Sequence, residues 1–329
     1  MSVPDRSRQA GSPGRSQGGS SLVERGRLRS GHPAKAAQRG RPGEDRLGLG
    51  RRRRDVGASF AGEQVEGHHA VRQLLSAQRR RARVVWADDR LAARGPVSEV
   101  VALARREGVP VELKSAGALL AAAATNAPQG VIAWADPLAA APLEQLLEPT
   151  AGRSLLIVLD GVSDPGNLGA VLRVAACAGA GGVVVGRHRS APLTPAALKA
   201  AAGAAEVVPV AVAPGIPAAL AAVRAAGWWV VGLDPEAGDD IWGSPLLGSP
   251  VALVFGSEGK GLSRLVRKRC DAIVQVPMAS AGAVGSLNVA AACAVACFEV
   301  ARRRAAVSRS PLGTGRRAAS SGAAARSPA

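Results

Sequence analysis

The run VFGSEGKGLSRL, from Val254 to Leu265, places three glycines, a lysine and two serines directly after apolar residues. That is the make-up of a loop that wraps a phosphate. A nucleotide loop of the G-x-x-x-x-G-K-[ST] type needs its lysine straight after the second glycine, where the ammonium reaches the phosphates. Gly256 and Gly261 have the glycine spacing, but Leu262 follows them. No G-x-G-x-x-G dinucleotide fingerprint follows a strand-like run either. Nucleotide-phosphate chemistry therefore fails on spacing.

Two further polar, glycine-bearing runs follow apolar segments. One is DGVSDPGNLGAVLRVA (160–175), the other VPMASAGAVGSLNVA (276–290). In open α/β sheets ligands bind beyond the carboxyl ends of the strands. Three such ends in one small domain imply a single assembled site. Metal chemistry lacks ligands: of four histidines only His188 follows residue 150, and Cys177, Cys270, Cys293 and Cys297 form no CxxC pair.

The elements that must position these runs follow from periodicity. LLIVLD (155–160) reads as a strand covered on both faces. Residues 167–179 read as a helix closed by Gly179, 182–186 as a strand, and 194–203 as a helix with Thr194 at the N-cap and Pro195 at N1. Strands at 207–212, 228–233, 251–256 and 272–276, with helices at 216–227 and 286–304, complete about six strands; Ser286 is placed to cap the last helix. Upstream, helices at 67–77 and 97–108 alternate with strands at 82–87, 109–113 and 129–135, a smaller α/β unit on a parallel or mixed sheet. The expected division is a basic tail (1–57), a small α/β domain (58–137), a linker (138–152), a larger α/β domain (153–304) and a second basic tail (305–329).

Charge supports that division. The net charge is +17; residues 1–57 contribute +9, residues 302–329 +7, and the remainder +1. Such tails, rich in Gly, Ser, Pro and Arg, read as disordered segments attracted to nucleic acid through phosphate neutralisation. Three Phe, five Trp and no Tyr leave little for a base-stacking platform. The clusters Arg79-Arg80-Arg81-Arg83 and Arg264-Arg267-Lys268-Arg269 fit either phosphate contacts or a solvated face. No apolar run has the length and purity of a membrane span or a secretory signal, and the cysteine usage suits a reducing cytoplasm.

The three runs closely resemble the three motifs of the SpoU (TrmH-type) RNA 2′-O-ribose methyltransferases. The first matches at Asp164-Pro165, Asn167, Gly169 and Arg173, the second from Phe255 to Leu262, and the third at Pro277-Met278 and Ser286-Leu287-Asn288-Val289. Gly67, His68, Ala70, Val71 and Gln129-Gly130 resemble the family's ribosomal-protein-like substrate-binding domain, in the branch that acts on guanosine of large-subunit ribosomal RNA.

The resemblance implies a SPOUT-type parallel sheet with a C-terminal trefoil knot, S-adenosylmethionine as methyl donor without a metal, and a cytoplasmic homodimer whose active site uses both subunits. It implies cofactor contacts at Leu233, Gly256, Val276, Met278 and Leu287. It makes Arg173 the central catalytic group, with Asn167, Glu258, Ser286 and Asn288 beside it. Asn167 is expected to orient Arg173 or the ribose, and Glu258 to hold Arg173 or a backbone of the dimer mate. His68, Arg72 and Gln129 are the expected RNA contacts. Two departures stand out: loop 279–285 is about two residues longer than usual, and Pro128 stands where a histidine often precedes Gln-Gly. Transfer RNA, another ribosomal nucleotide, or an inactive assembly factor remain alternative readings.

Overall fold

The computed structural model describes residues 63–148, 154–279 and 286–309. The tail 1–57, residues 149–153 of the expected linker, residues 280–285 of the long loop and residues 310–329 lie outside them.

The smaller unit runs β1 (Gln64–Glu66), α1 (His68–Ala77), β2 (Ala82–Asp88), α2 (Gly95–Arg106), β3 (Val111–Lys114), α3 (Ala116–Ala122) and β4 (Val131–Ala135). Its sheet has the order β1-β4-β2-β3; β2 and β3 are parallel, while β4 is antiparallel to both β1 and β2. Periodicity found the longer elements. It passed over β1, too short to show an alternation, and α3, where an alanine-rich run has little contrast between faces.

The expected linker carries a helix, α4 (Leu143–Leu147). Leu146 is buried, and it occupies the space that a side chain at Gly182 would need. The Ala141 N–H donates to the Val210 carbonyl at 2.8 Å, which fastens this segment to the larger unit.

The larger unit continues as β5 (Leu155–Asp160), α5 (Pro165–Ala178), β6 (Gly182–Gly186), α6 (Pro195–Ala201), β7 (Val210–Ala213), α7 (Ile216–Ala225), β8 (Trp229–Leu233), β9 (Asp239–Asp240), β10 (Val251–Gly256), α8 (Arg264–Arg267), β11 (Ala272–Gln275) and α9 (Val289–Arg309). Its sheet is β7-β6-β5-β10-β8-β11-β9, and every pairing is parallel. The seventh strand, β9, is two exposed aspartates and carries no apolar signal.

The all-apolar strands are explained by a core on each face. Leu155, Ile157 and Leu159 of β5, with Leu253 and Phe255 of β10, join the core that includes α5, α6 and α9. Leu156, Val158, Ala252 and Val254 join the opposite core with α4 and α7. Side chains alternate across a strand, so each strand feeds both layers.

Helix punctuation holds in two places and shifts in two. The Thr194 hydroxyl accepts from Ala197 N–H at 3.2 Å, and Gly179 takes φ 71° at the end of α5. Helix α5 starts at Pro165, two residues before the expected 167, and is capped by Asp164, which accepts from Asn167 N–H at 2.7 Å. At α9 the cap is Asn288, whose Oδ1 accepts from Ala290 N–H at 2.9 Å; Ser286 lies two residues outside. Helix α9 also runs on past residue 304 into the expected tail.

Two members of the first arginine cluster, Arg79 and Arg80, form a joint between the units, while Arg83 bonds within the smaller unit. Arg80 and Glu206 form an ion pair with side chains 3% and 2% exposed. Arg80 also donates to the Asp136 carbonyl at 2.9 Å, Arg79 to the carbonyls of Ala205 and Val208 at 3.4 Å, and Arg83 to that of Ala135 at 2.6 Å. One continuous apolar core, from Val65 and Leu74 to Leu198 and Ala205, lies beneath these bonds.

Removing one partner of a buried pair strands the other charge. Glu206→Ala is expected to cost about 3–5 kcal/mol of unfolding free energy in urea titration, while Arg80→Met with Glu206→Leu together recover most of that loss.

Candidate functional site

Strand register sets the level at which the site is built. Gly256 at the end of β10 pairs with Asp160 at the end of β5. Phe255 pairs with Leu233 of β8, and Leu233 with Val274 of β11. Parallel strands in this register release their following loops at one height on one edge of the sheet.

The loop after β10 folds straight back. Ser257 N–H donates to the Gly261 carbonyl at 3.1 Å, and Gly261 N–H to the Ser257 carbonyl at 2.9 Å. This turn lays the backbone of Gly261 and Leu262 against the Cα of Gly256, where a Cβ would overlap three backbone atoms. The resemblance implies a cofactor contact at Gly256; within the chain, the returning loop itself demands glycine there. Gly259 and Gly261 adopt φ 74° and 61°, the left-handed conformation that glycine takes without strain. The far side is fastened by Asp160, which is nearly buried and accepts from Ser263 N–H at 2.8 Å.

The fold-back presents Glu258 to two amides from distant parts of the chain. Its Oε1 accepts from Asn167 Nδ2 at 2.5 Å and from Asn288 Nδ2 at 3.4 Å, and Asn288 Nδ2 also lies 3.0 Å from Asn167 Oδ1. The start of α5, the β10 loop and the start of α9 are thereby joined by side chains 91 and 30 residues apart. Within one chain, Glu258 thus holds the two asparagines.

Beside this cluster opens a cavity of about 810 Å³. Its walls include all five expected cofactor contacts, Leu233, Gly256, Val276, Met278 and Leu287, together with Ser286, Glu258 and Asn288. Asp234 and Glu236, which sequence reasoning passed over, add carboxylates from the loop after β8. Asp234 Oδ1 accepts from Glu236 N–H at 2.9 Å, and its other oxygen pairs with Arg267 of α8, so the second arginine cluster spends that member on the site's wall. No group of three or more His, Cys, Asp or Glu among the described residues is placed to hold a metal. Cys270, near β8, is half-buried, and its thiol is pushed up to about 12 by desolvation, with Asp271 adding to the effect.

Arg173 stands elsewhere. It lies exposed on α5, two turns beyond Asn167, and borders a second cavity of about 480 Å³ between the two units. Gln129 borders the same cavity. His68 packs its ring against His69, with centroids 4.2 Å apart, and burial holds its pKa below the usual histidine value. Arg72 is exposed, 3.9 Å from Glu99. Within one chain, then, the structure brings together Asn167, Glu258, Ser286, Asn288 and the five pocket residues, and separately Arg173 with Gln129.

Comparison with known proteins gives a consistent set of likenesses. Residues 154–298 match the SpoU rRNA Methylase family, and residues 64–140 match the family described as RNA 2′-O ribose methyltransferase substrate binding. A Pseudomonas putida protein named 23S rRNA (guanosine-2′-O-)-methyltransferase RlmB is 41% identical over 246 residues, covering 74% of this chain and 97% of that one. The Vibrio cholerae protein of the same name is 42% identical, covering 75% and 99%. Among solved structures, the SpoU methyltransferase AviRb of Streptomyces viridochromogenes, in complex with AdoMet, aligns with a TM-score of 0.62 and 26% identity over 74% of this chain and 90% of that one.

The fold-back on Gly256 carries a direct expectation. Gly256→Ala forces the β10 loop away from its strand, costs about 1–3 kcal/mol of stability, and breaks the Glu258–Asn167 contact, read as loss of the Asn167 side-chain amide shift in NMR.

Proposed function

For a chain that belongs to the SpoU rRNA methylase family, we propose a reading in which the three loops and Arg173 together methylate ribosomal RNA. The protein is an S-adenosylmethionine-dependent RNA 2′-O-ribose methyltransferase whose substrate is a guanosine of 23S ribosomal RNA. The observation that carries this is the convergence of Asn167, Glu258 and Asn288 on the rim of one large cavity.

The cavity's chemistry fits the methyl donor. Apolar walls at Leu233, Val276, Met278 and Leu287 suit an adenine ring, and the glycine-rich backbone from 256 to 261 offers N–H and carbonyl groups without obstructing side chains. Asp234 and Glu236 supply acceptors for hydroxyl or ammonium groups. When bound, S-adenosylmethionine provides a methyl group already activated by a sulfonium. The protein's own tasks are to align the ribose 2′-hydroxyl, to let its proton leave, and to stabilise the oxygen as charge develops.

Arg173 performs the last of these. A guanidinium keeps its proton and is a poor base, so it acts by donating hydrogen bonds to the developing oxyanion, while the proton passes to water or an RNA phosphate. Asn167, Glu258 and Asn288 keep the entrance of α5 and the start of α9 in fixed relation, and Ser286 donates at the rim.

Arg173 and the cofactor cavity lie apart within one chain, and a homodimer reconciles them. Helices α5 and α9 pack side by side and expose Arg173, Cys177 and Phe298, the last 49% exposed. A second copy on this face carries its Arg173 to the first copy's cavity. In this reading residues 58–137 form a ribosomal-protein-like substrate domain, 138–152 a connection and 153–309 the methyltransferase domain, with the basic segments 1–57 and 310–329 adding nonspecific RNA attraction. The last strand and helix close a trefoil knot, a reading supported by family membership and by the meeting of residues 257–261 with Val276, Met278 and residues 286–289 at one cavity. No described helix is long and apolar enough to cross a membrane; a ribosomal RNA substrate supports a cytoplasmic location. His68 and Arg72 extend the RNA surface from α1.

With tritiated S-adenosylmethionine and a 23S transcript, label is expected on a guanosine 2′-oxygen; label on a base, or only on transfer RNA, contradicts the reading. Arg173→Ala and Glu258→Ala proteins, each reduced by about 100-fold or more, are expected to regain part of the activity when refolded together. Shared sites in a dimer permit this complementation and sites within one chain do not.

A further inference from the structure

The second cavity, of about 480 Å³, has walls from both units: the start of α1, the loop between α3 and β4, and helices α5 and α6. Its polar lining is His69, Thr125, Gln129, Arg173 and Lys199. The carboxylate that borders it, Glu66, is fully buried and spent inward. Its oxygens accept from Gln64 Nε2 at 2.9 Å, Ala124 N–H at 2.5 Å and Thr125 N–H at 3.2 Å, and from the Thr125 hydroxyl. Four donors on one carboxylate leave it no acceptor site for a direct ion pair with the cations across the cavity, although its charge remains.

Those cations retain donors. Lys199 Nζ gives one N–H to the Ala127 carbonyl at 2.5 Å and one to Thr125 Oγ1 at 3.2 Å; its third is uncommitted among the described residues. Arg173 makes no hydrogen bond or ion pair among the described residues. Gln129 is held in the left-handed region at φ 54°, and a Cβ on Gly67 would meet its Oε1 at 2.7 Å, so the amide lies close against the start of α1. Lysine, guanidinium and amide donors around a nucleotide-sized space, with the adjoining carboxylate saturated, match a phosphodiester.

We propose that this cavity holds one backbone phosphate of the substrate RNA strand, with Lys199 as its principal contact, and so sets which ribose lies against Arg173. The inference rests on the ribosomal RNA reading above. Lys199 lies on a helix of the methyltransferase unit, and the opposite wall belongs to the unit that matches a substrate-binding family. The phosphate therefore bridges the two units and binds only when both are docked. A phosphate beside Arg173 also stands where a departing hydroxyl proton needs an acceptor.

The test uses the full chain and a protein-free 23S transcript, with affinity measured from about 50 to 200 mM KCl. Lys199→Gln is expected to weaken binding about tenfold at low salt. It should also reduce the slope of log affinity against log salt by about 0.7–0.9, the signature of one lost phosphate contact. Lys199→Arg retains affinity and slope. Ala196→Glu, on the same cavity wall, adds a charge without removing any bond and weakens binding about tenfold, whereas Ala196→Gln stays near wild type. Calorimetric uptake of S-adenosylmethionine is unchanged in all four. Wild-type affinity and slope in Lys199→Gln and Ala196→Glu, in a preparation whose parent methylates the transcript, overturn the phosphate site alone. A parent that neither binds nor methylates the transcript overturns the ribosomal RNA reading, and the phosphate site with it.

Discussion

The site depends on one steric condition: the backbone of Gly261 and Leu262 lies where a side chain at 256 would be. That approach turns the β10 loop back over its own strand and brings Glu258 within hydrogen-bond distance of Asn167 and Asn288. The register of β5, β8, β10 and β11 supplies the common level, and Asp160 fastens the returning loop from below. None of these parts does chemistry alone. Together they fix the openings of α5 and α9 on the edge of a cavity with apolar walls, a geometry that orients a ligand without reorganisation.

A second constraint joins the two units. The Arg80–Glu206 pair is taken almost wholly out of water, and a buried ion pair contributes less to stability than to the choice of one arrangement. Its place beside a shared apolar core means that the substrate unit is docked in a defined pose, with Lys199 reaching across to the loop after α3. The cavity beside Arg173 exists because of that pose. In the proposed reading, RNA positioning and methyl transfer share the same packed joint, and a loosened joint weakens both.

Much of this was legible in the sequence. Apolar runs gave β5, β6 and β10 to the residue, because strands buried on both faces carry an unbroken signal. The three motifs marked the residues that meet, since Gly256, Asn167 and Asn288 have types that a plain helix or strand would not select. Elements that rely on tertiary context were hidden. Leu146 makes α4 a packed helix only because Gly182 leaves room for it, and the two aspartates of β9 pair only because β11 is already placed. The roles of Ser286 and Asn288 were exchanged at the cap because both types suit an N-cap and only the chain's path decides between them. The separation of Arg173 from Glu258 had no local signal, for direction around a helix axis becomes meaningful only when its neighbours are known.

The claim that the folded-back loop and its partners form one cofactor site is tested most directly by calorimetric titration of S-adenosylmethionine into the purified full chain. The account predicts saturable uptake by the native protein, lost in a Gly256→Ala protein that keeps its native circular dichroism. Absence of uptake by correctly folded wild type, or unchanged uptake by Gly256→Ala, would contradict it.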